Sequence, residues 1–168
     1  MEEEKTKSMY VIKRIGGYLH KVIPIVDSTG KVVQTVIAPF MVELKPRDIM
    51  QIIVGATILA IPVGLTEETW QLAEQLNVNN VLLLGGISIF FISLFVYFNF
   101  YRFHLKENAA KYIKRVLATY GLSLLVVGVL LTIIEKCPWG VDNLLAIKRI
   151  VITAFPASMA ATISDTMK

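Results

Sequence analysis

KPRDIMQIIVGATILAIPVGLTEETW, residues 45–70, decides the fold. Pro46-Arg47-Asp48 opens the stretch, Glu67-Glu68 lies near its close, and between Ile49 and Leu65 the only strongly polar side chain is Gln51. With its flanks the run approaches the roughly 20 residues that a helix needs to cross about 30 Å of hydrocarbon, so it reads as a transmembrane helix over about 47–68. Pro46 suits a first turn, and Asp48 stands where a carboxylate meets the partial positive charge of a helix N-terminus. Ala56, Ala60 and Gly64 recur every four residues, a stripe of small side chains that lets a second helix come close. Continuing the stripe leads to Glu67 and Glu68. Pro62 frees a backbone carbonyl near Ile58, which kinks the helix or opens a polar point in it.

Working outward, three more runs have the same character, at about 80–103, 112–134 and 143–163. Across the 168 residues hydrophobic side chains make up 55% and mean hydropathy is +0.61, above the roughly 45–50% apolar content of soluble domains. The excess suits lipid. Aromatics from Phe95 to Phe103 look like an interfacial belt, and Arg102, Lys106, Lys111, Lys114 and Arg115 make the next connection basic, hence cytoplasmic. The connections Thr66–Asn79 and Glu135–Asp142 are acidic on balance and belong outside. Lys148 and Arg149 interrupt the last span, beyond which Ala154, Ser158, Thr162 and Asp165 fall on one face. Counting basic flanks gives a multi-pass protein of the cell membrane, with N- and C-termini cytoplasmic. The net charge of +4 and pI near 9.2 are explained by these flanks, with no need for nucleic acid.

Ahead of the first span, residues 1–17 are charged and end in Gly16-Gly17, which predicts a flexible arm. Residues 18–45 predict a small cytoplasmic β-hairpin: β-branched runs Lys21–Val26 and Lys31–Ile37 flank the turn residues Asp27-Ser-Thr-Gly30. The fold class is an all-α membrane protein, with four transmembrane helices in residues 46–168 preceded by that hairpin. A lone hairpin is marginal in water, so it needs a surface to pack on.

Glu67 and Glu68 read either as a solvated helix end or, if several copies line a pore, as a carboxylate ring that attracts cations. Lys148 and Arg149 either snorkel to the headgroups or pair with Glu67, Glu68 or Asp142 as an intramembrane gate. Pro62 and Pro156 share a setting, Ala-Ile-Pro and Ala-Phe-Pro followed by small residues and then an acid. They mark two broken helices beside an ion path that includes Ser158, Thr162 and Asp165. His20 and His104 are isolated and Cys137 is the only cysteine, so no metal centre, disulfide or cofactor is expected. No Ser-His-Asp set, HExxH, GxGxxG or P-loop is present, and no enzymatic activity is expected.

Three stretches, residues 45–70, the hairpin leading into MVELKPRD, and AFPASMAATISD, together resemble a family of integral membrane proteins of unknown function from archaea and bacteria. The similarity runs over nearly the whole chain from the hairpin onward. It implies four spans and a cytoplasmic N-terminal segment, and it brings no catalytic or ligand residues. The expected function is an oligomeric channel or transporter for small inorganic ions, cations favoured. Copies would assemble among membrane lipids through the Ala56-Ala60-Gly64 stripe. The alternative is a non-transporting membrane scaffold that binds a soluble partner through its hairpin.

Overall fold

The structure is a computed structural model that describes residues 11–15, 18–27, 32–39, 44–101 and 105–167. It divides into two units, Met1–Glu43 and Leu44–Lys168.

The first unit holds an antiparallel sheet of three strands, β1 (Val11–Ile15), β2 (Tyr18–Val26) and β3 (Val32–Pro39), in the order β1-β2-β3. The hairpin β2-β3 lies where the sequence places it, but part of the expected flexible arm is a strand. Val11 pairs with Val22 and Ile15 with Tyr18. Lys13 and Arg14 give this stretch the look of a charged arm, whereas Val11, Ile12 and Ile15 are the β-branched residues a strand favours. The proposed turn at Gly30 and the Gly16-Gly17 pair lie outside the described residues.

The second unit is a bundle of α1 (Pro46–Gly64), α3 (Val78–Val96), α4 (Leu105–Ile133) and α5 (Asn143–Thr166), with a short α2 (Glu67–Gln75) between the first two. Each of the four long helices is long and apolar enough to span a bilayer. A π-helical turn, Tyr97–Tyr101, extends α3, and Asn108 breaks the regular geometry of α4 near its start. Against the expected boundaries, α1 stops at Gly64 and Glu67 begins a new helix. Thr66 is extended at that junction, and the Trp70 indole N–H donates to the Gly64 carbonyl at 2.9 Å. That bond satisfies one of the acceptors left open where a helix ends.

The span interrupted by Lys148 and Arg149 is the central one. α5 packs against α1, α2, α3 and α4, and its Ala146, Ala154, Ala157 and Ala161 are fully buried. Small side chains on α5 meet small side chains on α1. A Cβ added at Gly55 would lie 2.5 Å from Ser164 Cβ, 2.8 Å from the Ala160 carbonyl oxygen and 2.9 Å from Ala161 Cα. The stripe Ala56, Ala60 and Gly64 is buried inside the same bundle, with Ala56 packed near Ala161 and Gly64 facing Leu130 and Leu131. This corrects the reading of the stripe as a contact between copies, because one chain already covers it.

Candidate functional site

Antiparallel alternation brings the start of α1, the end of α3, the start of α4 and the end of α5 to one end of the bundle. There Arg115 of α4, Asp48 of α1 and Asp165 of α5 meet, each at most 1% exposed. Arg115 Nε donates to Asp165 Oδ2 at 2.8 Å and Nη2 donates to Asp165 Oδ1 at 2.8 Å. The same Nη2 donates to Asp48 Oδ2 at 3.0 Å. The first pair is the two-pronged geometry that a planar guanidinium offers a carboxylate, among the strongest charge-assisted contacts available. Asp48 also accepts from the Lys45 backbone N–H at 3.2 Å. One carboxylate therefore closes the first turn of α1 and ties it to α4.

Aromatic side chains seal this cluster. The π-helical turn after α3 sets the Phe100 ring 3.9 Å from the guanidinium carbon of Arg115. Cation–π attraction is strongest at such a desolvated position. Tyr101 is fully buried and meets Tyr112 edge to face at 5.3 Å between centroids. An α-helical register would rotate both rings differently, so the extra residue in the turn is what faces them inward.

From the triad a file of buried hydroxyls leads into the bundle. Thr119 and Ser123 follow Arg115 at one-turn intervals on α4, and Ser158 and Thr162 precede Asp165 on α5. Each donates to a carbonyl of its own helix, which leaves oxygen lone pairs available as acceptors. A lateral cleft of about 390 Å³ between α3 and α5 is lined by Phe91, Phe95, Phe98, Asn99, Met159 and Thr162 among others. It is apolar and touches the file only at Thr162.

The other predicted positions lie elsewhere. Glu67 and Glu68 are exposed in the first turn of α2, where carboxylates stabilise a helix N-terminus. They are not on α1, so the carboxylate-ring geometry has no support from that helix. Arg149 pairs with none of the expected acids: Nη2 donates to Glu74 at 2.7 Å and Nη1 to the Lys136 carbonyl at 2.7 Å. Glu74 is more than half exposed, and a bridge of that kind contributes about 1 kcal/mol or less. Lys148 lines a small cleft with Glu74 and Asp142. Pro62 is exposed on α1 and Pro156 half-buried on α5, so the two prolines do not face one shared path. Ser158, Thr162 and Asp165 do lie together. Among the described residues no three His, Cys, Asp or Glu side chains are placed to hold a metal ion.

Arg115 and Asp48 are the site residues that sequence reading passes over. Arg115 reads as the last cation of a basic flank at the very start of the span expected over 112–134, yet α4 begins at Leu105 and Arg115 is fully buried within it. The available signal was the spacing Arg115, Thr119, Ser123, polar residues at one-turn intervals that lead from the basic start of α4 into its apolar part.

A family model described as "Putative integral membrane protein (DUF2391)" matches residues 28–164. The chain belongs to that family. Comparison with curated proteins and with solved structures found no match. Membership of this integral membrane family makes α1, α3, α4 and α5 the membrane helices, and it puts the Asp48–Arg115–Asp165 triad within helices that cross lipid.

Cys137 lies just beyond α4 and is 8% exposed, packed among Ala60, Leu131, Ala146 and Ala154. Burial pushes its thiol above the ordinary value, against smaller opposing pulls from Thr132 and Arg149. The thiolate is the reactive form, so alkylation of the folded protein at pH 8 is expected to be at least about tenfold slower than in denaturant, and to accelerate as pH rises. Equal rates in the two states, followed by mass spectrometry, would contradict this placement.

Proposed function

We propose that the protein moves small ions across the membrane, cations favoured, and that Asp48, Arg115 and Asp165 form the point where the ion is handled. The observation that carries this reading is a guanidinium held by two carboxylates from two other helices inside the membrane bundle. Buried ion pairs add little to stability relative to apolar packing, and ionisable groups in membrane helices mark ion and proton paths. The three side chains present two acids to one base, and a cation or proton that reaches the carboxylates competes with Arg115 for them. Such competition would loosen α1 and α5 from α4. The hydroxyls of Thr119, Ser123, Ser158 and Thr162 supply the next acceptors. Lys45, Arg47, Lys111 and Lys114 surround this end, which supports a cytoplasmic orientation for it and for both termini.

The test is flux into proteoliposomes under sodium, potassium, proton and chloride gradients. Asp165→Asn is expected to lower cation flux at least tenfold. Glu67→Gln with Glu68→Gln, on exposed α2 and screened within a Debye length of about 8 Å, is expected to change it less than about twofold. No flux of any ion through the wild-type protein would overturn the transport reading, in favour of the scaffold.

A further inference from the structure

Resting on the transport reading, we infer that the ion this bundle passes is the proton: Asp48 takes it up, and buried groups of α5 pass it toward Arg149 and Glu74 at the opposite end. A metal cation stripped of water needs a shell of oxygens in place of its hydration. Here both oxygens of Asp165 and Oδ2 of Asp48 already accept N–H donors. The triad is closed as well, with each member at most 1% exposed, and the lateral cleft reaches the polar file only at Thr162. A proton needs one lone pair and no cavity. Asp48 is the carboxylate that takes it, because its contacts with Arg115 and the Lys45 N–H, 3.0 and 3.2 Å, are longer than the 2.8 Å contacts that hold Asp165. Asp48 faces Arg115 and, across it, Asp165, with Tyr101 beside the guanidinium. The new O–H bond turns the Asp48 carboxylate into a neutral acid, and it breaks when the proton moves on. Arg115 keeps its charge, so the tie between α1 and α4 weakens while α5 stays gripped.

The central helix carries polar groups along the rest of the way. Thr162 and Ser158 precede Asp165 on α5, both buried. Each keeps lone pairs after donating to its own helix, so each can accept a proton as it gives up its own. Thr153 stands next, fully buried, and its Oγ1 has no hydrogen-bond partner among the described residues. A polar atom buried in this way carries a cost and calls for a reason. The methyl of Thr153 faces Gly64, so valine would serve the packing equally well; a relay needs the hydroxyl. Pro156 cannot donate to the Ile152 carbonyl, which leaves a further acceptor in the stretch from Thr153 to Ser158. One turn beyond Thr153, Arg149 Nε is likewise buried without a partner among the described residues, while Nη2 holds the exposed Glu74 carboxylate. Lys148 and Asp142 line the cleft beside Glu74. Roughly 24 Å of helix axis, at about 1.5 Å per residue, separates Asp165 from Arg149, most of the roughly 30 Å of hydrocarbon. An ion-pair staple accounts for the triad at one end, and a proton path accounts for Thr153 as well.

The experiment uses the full-length protein in liposomes that enclose a pH-sensitive dye, with sodium and potassium fluxes read separately by tracer ions. The wild-type protein should shift the lumenal pH under a proton gradient, with sodium and potassium fluxes at least about tenfold lower. Asp48→Asn should slow the proton at least about tenfold, and Asp48→Glu, which keeps a carboxylate, should restore much of the rate. Thr153→Val removes an unpartnered buried hydroxyl, so it should leave the thermal midpoint unchanged or raise it, yet slow the proton at least about tenfold. Proton movement at the wild-type rate in Thr153→Val or in Asp48→Asn would overturn the proposed path. Sodium or potassium flux equal to that of the proton would overturn the proton as passenger and leave the transport reading standing. No flux of any ion would sink both.

Discussion

Arg115→Met is expected to lower stability by about 3–5 kcal/mol, the cost of leaving partner charges buried without their counterion. Two carboxylates lose the guanidinium donors that now lie 2.8 to 3.0 Å from them. Thermal unfolding in detergent reads this directly, as a large fall in midpoint. The more telling variant removes the charges together: Arg115→Met with Asp48→Asn and Asp165→Asn. Neutral replacements of a buried triad are often tolerated, and these neighbouring sites couple instead of adding. The triple variant should therefore regain most of the stability that the single one loses. Ion flux should stay lost in both. Flux that returns along with stability would make the triad a structural staple, and the ion-handling role would pass from it.

The second large effect is expected at Gly55, where α1 and α5 touch backbone to backbone. Two of the three atoms that a Cβ would meet under 3.0 Å are the Ala160 carbonyl oxygen and Ala161 Cα, and neither can rotate away. Gly55→Ala should force the helices apart and cost roughly 3 kcal/mol, the upper end for overpacking a close contact. Gly121→Ala is the matched control. It lies in α4 with open space around it, so it should be neutral or stabilise by up to about 1 kcal/mol through helix propensity. Equal destabilisation by the two variants would mean that α1 and α5 are not in contact at this point.

The four spans were legible because length and apolarity act on whole helices, and a bilayer reads those two quantities. Ends were less legible. Glu67 and Glu68 continue the four-residue spacing of α1 on paper, yet the chain turns at Leu65-Thr66 and the acids begin the first turn of α2. That the polar face of α5 matters was visible from Ser158, Thr162 and Asp165. Its partner was not, because Arg115 follows Lys111 and Lys114, and a count of basic residues treats all three alike. Lys114 is exposed and Arg115 fully buried one position later. Only the rotation of α4 against α1 and α5 separates them. Likewise the small stripe of α1 announces that a helix will approach, without saying whether it comes from the same chain.

The central place of α5 has a consequence for synthesis. This helix touches every other one, and it follows all of them in the chain. Asp165 is made 50 residues after Arg115, a delay on the order of several seconds at ordinary translation rates. During that interval the nascent chain has Arg115 in place but not the carboxylate that accepts from two of its nitrogens, and the small face of α1 lacks the α5 residues that pack on it. The ribosome therefore delivers the keystone last, and a chain arrested before α5 presents the cell with a charged, gap-ridden intermediate for its membrane quality control to recognise.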